Sequence, residues 1–204
     1  MVSALFESVY SRPDVALEEK VKKGLSSIPQ PWENYPTIEL LEAFQGHMPG
    51  WTFSLVGDDG QWKYGDVDIK QSWLDGRGYI HVEVGNDFFE KNVDSPRDLI
   101  RVLRAILAHE DTHKQQYAKD PTMYIDEDKY YEDEREVDAH AREAAQELLD
   151  LNVTEINNDT LMNSSTAFRY WEDFGKDADE FEDAAKIWNR FITELRDYFY
   201  EELE

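Results

Sequence analysis

The chain has 204 residues, a formal net charge of −24 and no cysteine. That length suits one domain, and that charge disfavours nucleic-acid phosphates and anionic membranes as partners. The absence of cysteine removes disulfides, thiolate metal sites and a cysteine nucleophile, while 41% hydrophobic and 13% aromatic residues provide for a packed core.

The start, MVSALFESVYSRPDV, has no basic n-region and no long apolar run, so a secretory signal is not expected. No stretch has the length of a transmembrane helix, which favours a cytoplasmic or virion-borne setting over secretion. Residues 3–26 read as helical, broken near Arg12-Pro13, and the three prolines of SSIPQPWENYP (26–36) read as an extended linker. TIELLEAFQGH carries apolar residues at helical spacing, ended by Gly46 and Pro49-Gly50. From Trp51 the period changes. WTFSLVGDDGQWKYGDVDIK reads as two short strands around the turn Asp58-Asp59-Gly60; its acidic part lacks the EF-hand loop pattern and is taken as a hairpin. YIHVEV follows as a strand with Ile80, Val82 and Val84 on one face. Ser95 as N-cap and Pro96 at N1 open a helix expected to run to about Lys119, before Asp120-Pro121. Further helices are expected over Asp128–Leu151 and Ala178–Leu203. The last carries Phe181, Ala184, Trp188, Phe191, Leu195 and Tyr198 on one face, expected as core, or as a docking surface for a protein partner or second subunit if part stays exposed. The resulting organisation is one domain over 1–204: a helical N-terminal region over 1–50, a sheet with two site-bearing helices over 51–151, and a helical C-terminal extension over 152–204.

AILAHEDTHKQQY places His109 and His113 four residues apart, hence on one helix face, as two imidazoles on one metal must be. Val102, Ile106 and Gln116 share that face, so the pair points inward, and Asp111 points outward. Glu110 lies one residue round, able to reach a metal-activated water without ligating. A catalytic zinc needs a third protein ligand. HKQQYAKDP rules out the subclass that takes a third histidine six residues on. The next helix offers carboxylates, and its apolar stripe traces through Tyr130, Val137, Ala141, Ala144 and Leu148. Glu134 falls within that stripe and is selected as the ligand over Glu132, Glu136 and Glu143; Glu136 and His140 fall toward the polar side. Asp138, at the stripe's edge, can accept the second ring N–H of a zinc-bound histidine.

His109-Glu110-x-x-His113 followed by Glu134-x-x-x-Asp138 resembles the gluzincin metallopeptidases, thermolysin-like and minimal forms, over about residues 78–150. The resemblance implies an α+β, zincin-like fold, a Zn2+ cofactor on His109, His113 and Glu134, Glu110 as general base, Asp138 behind the ligands, and a peptide or protein substrate. It also implies that the strand before the active-site helix, here YIHVEV, lies along the substrate cleft. No signature identifies the oxyanion stabiliser: Tyr117, Tyr124, Tyr130, Tyr131 and His140 remain open, while His47 and His81 have weaker claims. Two rival readings stand beside the peptidase: a zincin-fold structural component of an assembly such as a virus particle, and an acidic mimic of nucleic acid. The spread of acidic residues along the helices favours a solvated surface over the mimic.

Overall fold

The structure is a computed structural model that describes residues 13–56, 69–75, 78–92, 96–120, 132–178 and 181–203. It is α+β: mostly helical, with one three-stranded sheet among the described residues. The chain divides into two compact units, Met1–Arg104 and Ala105–Glu204, split inside a helix. No helix among the described residues is long and apolar enough to cross a membrane.

In the first unit, helix α1 (Pro13–Ser26) leads through a 3₁₀ turn at Trp32–Asn34, within the expected linker, to helix α2 (Thr37–Gln45). Gly24 is needed where α1 meets α2, because a Cβ there would fall 2.7 Å from the Phe44 ring. Strands β1 (Trp51–Leu55), β2 (Ile69–Leu74) and β3 (Ile80–Val84) form a sheet of order β1-β3-β2, parallel between β1 and β3 and antiparallel between β2 and β3. β1 and β2 therefore do not pair with each other, and the expected turn at 58–60 lies outside the described residues. The alternation read in YIHVEV holds: Ile80, Val82 and Val84 are buried. Because β3 is the central strand, both its edges are already hydrogen-bonded, and an extended peptide cannot pair with it. Phe44, Phe53, Phe88 and Phe89 close an edge-to-face aromatic core, the last two from a short helix, α3 (Phe88–Asn92), that the sequence reading did not anticipate.

Helix α4 (Pro96–Lys119) has the expected span, and its residues from Ala105 onward belong to the second unit. Helix α5 (Glu134–Asp150) starts later than expected: Asp133 is its N-cap and accepts from the backbone N–H of Arg135. Two helices not anticipated follow, α6 (Asn158–Leu161) and α7 (Ser165–Asp173), and then α8 (Glu182–Glu201). Val137, Ala141, Ala144, Ala145 and Leu148 of α5 pack with Tyr170 of α7 and with Phe191, Leu195 and Phe199 of α8. Tyr170 and Phe191 stack at 4.4 Å. Most of the aromatic stripe read in the last helix is thus core or half-buried; Phe181 is the exception, exposed at the N-cap of α8.

Candidate metal centre

His109 and His113 do face inward together from α4: His109 is buried and His113 mostly so. Their Nε2 atoms lie 3.0 Å apart. The third group to converge on them is Glu136, with Oε1 3.3 Å from His113 Nε2 and Oε2 3.7 Å from His109 Nε2. Bonds of about 2.0–2.2 Å in a tetrahedron put donor atoms about 3.3–3.6 Å apart. The three observed spacings bracket that value, so this donor set can hold a metal ion without rebuilding the site.

The helical phase assigned from sequence is corrected here. Glu134 points out of the fold: its side chain is 76% exposed and pairs with Arg190 of α8 at 2.8 Å. Glu136 is 1% exposed. Asp138 is corrected with it. It forms two hydrogen bonds with the Arg190 guanidinium, at 2.8 and 3.0 Å. The physical reason is that the buried face of α5 is wider than its apolar stripe. Glu136, His140, Glu143 and Glu147 form a second inward row, about 100° round the helix from Val137, Ala141, Ala144 and Leu148. His140 and Glu143 are buried, although His140 falls outside the apolar stripe on the polar side of the helix.

The part expected of Asp138 falls to Glu143. Its Oε2 accepts from His109 Nδ1 at 3.0 Å and from His140 Nδ1 at 2.8 Å, and its Oε1 accepts from the Thr166 hydroxyl at 3.2 Å. An ionised carboxylate only accepts, so His109 carries its proton on Nδ1 and its Nε2 presents a lone pair toward His113. His109, His140 and Glu143 are also close enough to hold a metal. Their separations are ordinary hydrogen-bond lengths, however, and the two Nδ1 atoms already meet the Glu143 carboxylate. Burial alone would raise the Glu143 carboxyl, but the hydrogen bonds from His109 and His140 hold it well below the usual carboxylate range. Burial pushes His109 down to about 4, with the nearby His140 adding to the effect against the pull of Glu143. His113 goes the other way: burial opposes its charge, but the Glu136 carboxylate, Glu110 and the bond to Gln116 together raise its pKa.

Further along the row, Glu147 accepts from the Ser164 and Ser165 hydroxyls at 2.5 and 2.8 Å and from the Thr166 N–H at 3.2 Å, which ties α5 to the start of α7. Burial and the charge of Glu143 raise its pKa against those donors. Glu110 is buried beside His109 and belongs to neither donor group. Among the oxyanion candidates, Tyr117 is 56% exposed, Tyr124, Tyr130 and Tyr131 lie outside the described residues, and His140 is committed to Glu143 on the Nδ1 side of His109. His81 is half-buried, bonded to Asp75 at 3.1 Å and stacked on Trp73, and His47 is half-buried in the first unit.

The described ion pairs of Glu136 and Glu143 are all with histidines. Buried carboxylate oxygens beside imidazole nitrogens are a donor set that a metal ion could occupy. No family model, curated protein or solved structure matches this chain.

Proposed function

We propose that the chain is a zinc-dependent metallopeptidase, with zinc held by His109, His113 and Glu136 and with Glu110 as general base. The observation that carries the reading is the convergence of two imidazole nitrogens and a carboxylate at tetrahedral spacing, one residue from a buried glutamate. The donor chemistry favours zinc over magnesium or calcium, which take mainly oxygen ligands. Bound there, zinc supplies a Lewis acid that acidifies water and polarises a peptide carbonyl. Glu110 removes the proton from the attacking water and returns it to the leaving amine. Glu143, braced by Thr166, holds the His109 ring so that Nε2 faces the donor set.

Protein purified without chelators or metal columns should carry one zinc per chain and cleave members of a broad peptide library. One zinc with no turnover would favour the structural-component reading. Stoichiometric absence of zinc, with none taken up on titration, would overturn the metal-centre reading altogether.

A further inference from the structure

The peptidase reading leaves open what orients the second imidazole, and α4 supplies a candidate one turn on. Gln116 sits three residues after His113, so the two side chains are neighbours on the helix surface. Its Oε1 lies 3.0 Å from His113 Nδ1, and its Nε2 donates to the backbone carbonyl of Arg135 at 3.0 Å. An amide's oxygen and nitrogen are normally interchangeable in a structure. Here the Arg135 carbonyl settles them, because it can only accept and so must face the NH₂ group. The amide oxygen is then left facing His113 Nδ1, and an oxygen facing a ring nitrogen at that distance requires the ring nitrogen to carry the proton.

We propose that Gln116 is a positioning residue that fixes His113 in its Nδ1–H tautomer, so that the Nε2 lone pair joins those of His109 and Glu136. This rests on the metal-centre reading and names the residue that completes it. The opposite tautomer would set an N–H between two Nε2 atoms 3.0 Å apart, where the cation belongs, and would turn the Nδ1 lone pair against the Gln116 oxygen. Arg135 directly precedes Glu136, so the same amide anchors His113 to the turn of α5 that carries the third donor. His109 and His113 are thus served by two different acceptors, a carboxylate behind one and an amide oxygen behind the other.

The experiment compares wild type, Gln116→Leu and Gln116→Glu. Nitrogen-15 NMR of the histidine rings in metal-free protein at pH 9 reads the tautomer, and zinc competition against a chelator at pH 7.5 reads the affinity. Wild type should show His113 protonated on Nδ1. Gln116→Leu should lose that preference and bind zinc about 10–100-fold more weakly. Gln116→Glu, which still offers an acceptor, should keep the tautomer and recover most of the affinity. A wild-type His113 protonated on Nε2 overturns the proposal, and this readout needs neither variant to fold. So does a Leu variant that matches wild type in tautomer and affinity, or a Glu variant no better than Leu. A wild type that shows the Nδ1–H tautomer but takes up no zinc would sink the metal-centre reading and leave the Gln116 assignment intact.

Discussion

The sharpest test separates two glutamates two residues apart. Glu136→Gln keeps shape and volume but replaces a carboxylate 3.3 Å from His113 Nε2 with a neutral amide. Structural zinc sites with four ligands bind with about 10–16 kcal/mol, or about 2.5–4 kcal/mol per ligand. Losing one ligand, and the only anionic one, should therefore weaken zinc binding by about two to three orders of magnitude. Glu134→Ala removes a side chain that is 76% exposed and paired with Arg190, which keeps Asp138 as a partner. An exposed ion pair is worth about 0–1 kcal/mol of fold stability, and zinc affinity should stay within about twofold of wild type. Chelator competition on both variants, with thermal melts of the metal-free proteins as a folding control, makes the comparison. If Glu134→Ala lost zinc and Glu136→Gln kept it, α5 would be rotated from the phase described here and the donor set would be wrong.

Three further outcomes are expected. Glu110→Gln should bind zinc as wild type does and lose about two to four orders of magnitude in peptide turnover, measured on any substrate found in the library; unchanged turnover would remove Glu110 as the base. Glu143→Gln should weaken zinc binding about 10–100-fold, because a neutral amide oxygen is a weaker acceptor for the His109 and His140 N–H groups than the carboxylate it replaces; equal affinity would show that His109 needs no charged brace. Asp138→Asn should leave zinc affinity within about twofold, since Asp138 bonds Arg190 and not a histidine; a tenfold loss would reinstate it behind the ligands.

The sequence was most legible where one period dominates. The span of α4, the inward pairing of His109 and His113, and the alternation of Ile80, Val82 and Val84 all follow from spacing alone. The sheet order did not follow, because β3 lies between β1 and β2 and pairing between strands is a tertiary choice that local alternation does not encode. Helix α5 was misread for a different reason. Val137, Ala141, Ala144 and Leu148 mark an apolar row, and Glu134 is in phase with it. But Glu134 is the first residue of the helix, where Arg190 holds it at the surface. A usable signal was present in the parallel spacing of Glu136, His140, Glu143 and Glu147. Four polar residues repeating at intervals of four, three and four beside an apolar row mark a second face, and a histidine within it argues against a purely solvated one.

That second row also shows why Glu136 is the member suited to a cation. Glu147 meets hydroxyls and a backbone N–H at the start of α7. Glu143 meets two imidazole N–H groups and a hydroxyl. These two carboxylates are answered by proton donors, as buried carboxylates must be. The described partners of Glu136 are the Nε2 atoms of His109 and His113. His109 Nε2 is a lone pair, because its proton is held on Nδ1 by Glu143, and His113 Nε2 becomes one once its proton is held on Nδ1 by Gln116. In that tautomer three electron-pair donors face one another across 3.0–3.7 Å, a spacing that one metal ion can bridge. A cation that bound this donor set only in the folded chain would add to the stability of the fold by that preference, so metal-loaded protein should melt above metal-free protein.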